Sequence, residues 1–141
     1  MANVAIVYWS GTGNTEAMAK LVAQGVTEAG GTPTVIQVSD FSADRLDEFD
    51  AYAFGCPAMG DEELEDGEFL PVYDEVEPLL AGRKVVFFGS YDWNDGEWMD
   101  NWAYRASNAG VDAIETVIAK DYPGGDEADA CVELGKTIAT A

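Results

Sequence analysis

Five short apolar runs, each followed by a stretch that is polar or helically spaced, constrain this chain more than any other feature. The first is Val-Ala-Ile-Val-Tyr-Trp at residues 4–9, and the others lie at 34–38, 51–56, 84–90 and within 112–119. Continuous apolar runs of this length suit strands buried on both faces, as in a parallel sheet. Between the first two, Met18, Leu21, Val22, Gly25, Val26 and Ala29 recur at helical spacing, and Gly30-Gly31 closes that helix. A short helix is expected over 43–49, a longer one over 69–80 with Pro71 in its first turn, and another over 98–109 closed by Gly110. The last spans 126–139, with Cys131, Val132, Gly135, Ile138 and Ala139 on one stripe. Strands alternating with helices imply right-handed crossovers, hence an α/β fold with a five-stranded parallel sheet covered by helices on both faces. The 141 residues fit one domain, 1–141, long enough to bury a core without disulfides or metals.

In such sheets ligands bind beyond the carboxyl ends of the strands, where strand order reverses. The loops after the first, third and fourth runs would meet there, and those three have unusual composition. Residues 10–18 read SGTGNTEAM. The hydroxyls of Ser10, Thr12 and Thr15, the Asn14 amide and the backbone N–H groups of a helix start can together grip a phosphate. Gly11 and Gly13 let the main chain close on it. The loop has no lysine or arginine, does not match GxxxxGK[ST], and lacks the third glycine of a dinucleotide fingerprint. A plainer alternative has Ser10 and Thr15 capping the helix while the glycines only make the turn.

Residues 55–66 read GCPAMGDEELED, and 89–99 read GSYDWNDGEWM. Met59 brings a polarizable thioether and Trp93 a planar face, so the pair can wall a slot for a heteroaromatic ring. The alternative is that Trp93 folds inward and Met59 fills a gap. Trp98 and Trp102, four apart on a helix, read as packing residues.

Charge narrows the function further. With 27 acidic residues, 7 basic ones and no histidine, the formal net charge is −20. That excess disfavours nucleic acid and anionic membranes and favours basic protein partners. No apolar run approaches the roughly 18 residues of a membrane span. The start carries no basic leader, so a cytoplasmic location is expected, with Cys56 and Cys131 as reduced thiols. Zinc-type or cluster-type cysteine spacing is missing too, and no metal site is expected.

In order and spacing, YWSGTGNT, CPAMGDEELED and FGSYDWNDGEWM resemble the three flavin mononucleotide (FMN) loops of short-chain flavodoxins, most of all the clostridial type. The resemblance covers essentially the whole chain. It implies strand order 2-1-3-4-5 with FMN at the switch between strands one and three, for which flavodoxin is the usual illustration. It implies that Ser10, Gly11, Thr12, Gly13, Asn14 and Thr15 hold the phosphate, that Met59 covers one ring face and that Trp93 covers the outer one. The Gly60 carbonyl would turn toward flavin N5–H when the first electron arrives, Glu62 would accept from N3–H, and the backbone around Asp92 would donate to O2. Pro57, Ala58, Asp61, Ser90, Tyr91 and Asp95 complete the cofactor-binding set. Two departures stand out. Many relatives have glycine at the positions of Asp92 and Asn94, residue types that tolerate positive φ, so the loop is expected to keep its path. Some carry serine at the Pro57 position, a hydroxyl that proline does not supply.

No lysine or arginine occurs between 46 and 82 or between 85 and 104. Those stretches carry Asp61, Glu62, Glu63, Glu65, Asp66 and Glu68, then Asp92, Asp95, Glu97 and Asp100. Oxidised flavin and its neutral semiquinone are uncharged at the ring, whereas the fully reduced ring is an anion, so surrounding acids oppose the second electron. One carboxylate about 10 Å away at an effective dielectric of about 40 contributes roughly 0.8 kcal/mol, or about 35 mV, before salt screening. For Glu63, Glu65 and Glu68 individually, a solvated surface is the plainer reading.

The resemblance thus implies a low-potential one-electron carrier that shuttles non-covalent FMN between semiquinone and hydroquinone. It would be a monomeric electron-transfer protein rather than an enzyme. Its partners would be redox proteins with basic docking surfaces, such as ferredoxin-linked oxidoreductases and flavodoxin or ferredoxin reductases. Two rivals remain at this point. A flavin-dependent quinone or nitro reductase would need a substrate pocket over the ring. A flavin-free receiver module would need an aspartate where Cys56-Pro57 stands.

Overall fold

Strand β1 (Asn3–Tyr8) runs into helix α1 (Asn14–Glu28), and the alternation continues through β2 (Thr32–Gln37), β3 (Ala51–Gly55), α2 (Phe69–Val76), β4 (Lys84–Tyr91), α3 (Glu97–Asn108), β5 (Thr116–Lys120) and α4 (Asp126–Ala139). The structure is a computed structural model that describes residues 2–60 and 62–141. Among the described residues the strands form a single sheet in the order β2-β1-β3-β4-β5, every neighbour parallel, as expected.

The apolar runs of β1, β3 and β4 become strands because both sheet faces are covered there, whereas the edge strands β2 and β5 stay partly exposed. Along β1, Val4, Ile6 and Tyr8 enter the core beneath α1 and α4, while Ala5 and Val7 enter the one beneath α2 and α3. The second core is aromatic: Trp102 stacks on Phe87 with centroids 4.1 Å apart, and Tyr73 meets Trp102 edge-on at 5.6 Å. Trp98 and Trp102 are buried packing residues, as their spacing suggested.

Several boundaries moved for local reasons. The helix expected over 69–80 is α-helical only to Val76 and continues as a 3₁₀ turn, Glu77–Leu79, because Pro78 has no N–H to donate and its ring clashes with the preceding turn. The helix expected at 43–49 is a 3₁₀ segment, Ala43–Glu48. β2 starts earlier than expected and includes Pro33, which an edge strand tolerates. On α4 the buried stripe is Cys131, Leu134, Gly135 and Ile138, with Val132 and Ala139 only half-buried.

Cys56 and Cys131 are free and buried in the two different cores, so the sheet separates them. Burial pushes both thiols up, that of Cys131 to about 12 and that of Cys56 further. Neither is expected to react with a disulfide reagent at pH 8 while folded, and both react once denatured. Rapid native labelling of either would contradict the packing. A raised thiol pKa adds stability that is intact below the ordinary value of 9.0 and is lost as pH climbs toward 12.

Candidate functional site

Parallel strands put all their carboxyl ends on one edge, and there β1 separates β2 from β3, so the chain leaves β1 on one side of the sheet and β3 on the other. Backbone hydrogen bonds continue the pairing past the strand ends. Trp9 N donates to the Gly55 carbonyl at 3.0 Å, Cys56 N to Phe88 at 3.1 Å, and Ala58 N to Ser90 at 2.9 Å. The three loops therefore leave the sheet already tied to one another.

Between them lies a cleft of about 330 Å³. Gly11, Thr12, Asn14 and Thr15 line it from the first loop, Pro57, Ala58 and Met59 from the second, and Ser90, Tyr91 and Asp92 from the third. Ten of the residues singled out in the sequence thus face one space. Ser10 and Gly13 instead border an adjoining hollow of about 370 Å³, shared with Tyr8, Glu16 and Glu68.

The first loop combines its two expected roles. Ser10 Oγ accepts from Gly13 N at 3.0 Å and Glu16 N at 3.3 Å, which orders the turn into α1 and leaves the hydroxyl proton free to donate. First-turn amides such as those of Asn14 and Thr15 have no intrahelical acceptor. Thr15 is buried, and its Oγ1 lies 2.7 Å from Ser90 Oγ, a contact joining the first loop to the third. Neutral donors at a helix N-terminus suit an anion.

The second loop ends differently from expectation at Glu65. Its carboxylate is buried and accepts from Gly67 N at 2.7 Å, Glu68 N at 2.8 Å and Phe69 N at 2.7 Å, so it secures the start of α2 rather than lying on a solvated surface. Glu62 Oε1 accepts from Trp98 N at 3.2 Å, while its Oε2 is buried without a partner; Glu62 does not line the cleft but a separate hollow beside Leu64, Trp98 and Trp102. Asp61 lies outside the described residues.

On the third loop, Trp93 is 70% exposed and stands clear of the cleft lining, neither folded inward nor closed over the opening. Asp95 is also exposed. The Asp92 carboxylate accepts from Trp93 N, folding back on its own loop. The tolerance of Asp92 and Asn94 for positive φ is not called on; among the described residues the non-glycine positions with positive φ are Glu62 (59°) and Asp121 (57°). Sequence reasoning missed Asp121, which lines the cleft because its N–H donates to the Tyr91 carbonyl at 2.7 Å at the end of β5. Trp9, whose sequence context marks only the end of a strand, also borders the cleft, and its Nε1 donates to Glu68 Oε1 at 3.1 Å.

Most cations are matched elsewhere. Arg45 pairs with Glu48, Arg83 with Asp47, Arg105 with Asp74 and Glu77, and Lys136 with Glu28 and Glu133. Chemically, the edge offers an anion cradle of uncharged donors, a partly apolar wall ending at Met59, and a rim of carboxylates, with the unpaired Glu62 Oε2 buried beside it. That donor and acceptor set fits a phosphorylated ring compound bearing its own N–H groups.

Comparison with known proteins agrees with this geometry. Residues 6–135 match the family model described as Flavodoxin. The flavodoxin of Clostridium beijerinckii is 47% identical over 135 residues, covering 95% of this chain and 97% of that protein. The flavodoxin of Megasphaera elsdenii is 46% identical over 138 residues, covering 98% and 99%. The solution structure of its two-electron reduced form superposes with a TM-score of 0.91 over 98% of this chain and 99% of that one.

Proposed function

The chain belongs to the flavodoxin family, and from that premise we propose that it is a low-potential one-electron carrier working with non-covalently bound FMN. Flavodoxins are FMN-binding electron-transfer proteins rather than catalysts with a substrate of their own. When bound, FMN supplies one-electron redox chemistry at a ring whose N5 is an acceptor when oxidised and an N–H donor once reduced.

The proposed roles follow from what each group can do. Ser10, Thr12 and Thr15, the Asn14 amide and the main chain of Gly11 and Gly13 bind the phosphate. Pro57, Ala58 and Met59 form the apolar wall, and Trp93 covers the ring by moving in from solvent. Glu62 Oε2 accepts from a ring N–H, Gly60 offers its carbonyl near N5, and Asp61, Ser90, Tyr91, Asp92 and Asp95 complete the rim. The observation carrying the reading is the pairing of a cation-free anion cradle with a rim of acids. Leaving the phosphate charge unneutralised and adding carboxylates makes further negative charge unfavourable, which lowers the potential for the second electron.

The same field would attract partners with basic docking surfaces, such as ferredoxin-linked oxidoreductases, through small and salt-sensitive interfaces. The proposed setting is the cytoplasm, with the chain acting as a single-domain monomer. An anaerobic reductive titration of the FMN-loaded protein is expected to resolve two one-electron steps, the second well below the first, with the gap narrowing as salt is added. One concerted two-electron bleaching would overturn the carrier role.

A further inference from the structure

We propose that Asn94 is a positioning residue: its side-chain amide engages the Gly60 carbonyl in the empty and oxidised protein and must be displaced before a donor on the bound ring can use that oxygen. The inference rests on the FMN reading above. Asn94 is only 7% exposed although its neighbours Trp93 and Asp95 lie on the surface, and its Nδ2 donates to the Gly60 carbonyl at 3.1 Å across the gap between the third and second loops. A buried amide without that partner would be unfavourable, so the contact is not incidental.

The two ends of this bond differ in freedom. Gly60 is exposed, has φ of 50° and carries no Cβ, so its backbone is free of the side-chain restriction that other residues meet there. Asn94 is enclosed. Met59, one residue earlier, lines the cleft while Gly60 does not, so the bond holds the carbonyl at the cleft's margin. An N–H at flavin N5 and Asn94 Nδ2 then compete for one oxygen. In the exchange one N–H···O bond replaces another: the electron comes from the donor protein, the N5 proton comes from water, and the enclosed Asn94 amide is left without its carbonyl acceptor, a cost that falls on the same step.

Asn94 is neutral, which separates this effect from the carboxylate field. Its bond favours the state in which N5 carries no proton. It therefore opposes the first electron and leaves the second, added when the swap is already complete, almost unaffected. This role depends on a side chain at residue 94, which glycine would not supply.

The test combines two measurements. In FMN-free protein, NMR exchange of the Asn94 side-chain NH₂ protons is expected to be about ten-fold slower than for exposed Asn108, as a buried bonded amide requires. Equal exchange would overturn the proposal. In FMN-loaded Asn94→Ala, the first-electron equilibrium is expected to shift toward reduction by about ten-fold, a 59 mV rise for a one-electron couple, with the second changing by less than about two-fold. Both potentials unmoved, or both shifted alike, would also overturn it. If the unsubstituted protein takes up no FMN, the carrier reading itself fails and this inference with it, a result seen before any substitution is made.

Discussion

Gly135→Ala is expected to lower the melting temperature by about 10 °C, equivalent to about 3 kcal/mol for a domain of this size. Helices α1 and α4 cross with their backbones in contact. A Cβ on Gly135 would stand 2.0 Å from the Val22 carbonyl oxygen and 2.9 Å from Val26 N, and one on Gly25 would stand 1.9 Å from the Val132 carbonyl oxygen. The obstructing atoms are main chain, so no rotamer change relieves the overlap and one helix must move. Overpacking of this kind costs about 3 kcal/mol or somewhat more, and alanine's better helix propensity offsets no more than about 1 kcal/mol.

The consequence reaches the site because α1 begins at Asn14, inside the phosphate loop. A displaced α1 carries the cradle with it, and FMN affinity is expected to fall along with stability. Gly25→Ala should behave alike, and the double variant should lose less than the sum of the two, since one crossing is relieved once. Thermal unfolding followed by circular dichroism measures this. A loss below about 1 kcal/mol would mean that the helices can separate freely.

Thr15→Val is expected to weaken FMN binding by about 100-fold, or about 2.7 kcal/mol. The swap keeps the shape and removes one hydroxyl. Thr15 is 1% exposed and its Oγ1 sits 2.7 Å from Ser90 Oγ, itself 4% exposed, so the variant leaves a buried hydroxyl without its partner. That alone costs the FMN-free protein about 1–3 kcal/mol. A phosphate loses a charge-assisted bond besides, worth about 1.5–3 kcal/mol. Calorimetric titration of FMN into Thr15→Val, Ser90→Ala and the double variant separates the two contributions. Strong coupling is expected between the substitutions, and wild-type affinity in Thr15→Val would remove Thr15 from the cradle.

Val4 to Tyr8 announced a strand buried on both faces because an uninterrupted apolar run fits little else, and Gly30-Gly31 ended its helix as expected. The three loops stood out because small polar residues and massed acids have no use in a core, and Met59 sits among them rather than on a helical or strand stripe. Glu65 misled: a carboxylate in an acidic run reads as surface, yet three N–H donors at the start of α2 draw it inside. Trp93 is the reverse case: its residue type suggests a wall, and its contacts alone leave it 70% exposed.

Local rules therefore carried the order of elements, the parallel sheet and the chemical character of the binding edge, because side-chain periodicity, turn residues and charge act over a few neighbours. The folded chain was needed for every contact that spans long separations: Thr15 with Ser90, 75 residues apart, Asn94 with Gly60, 34 apart, and Gly25 against Gly135. Which hydroxyl meets which, and which glycine has no room for a methyl group, depends on how strands and helices dock in space, and no short-range preference encodes it.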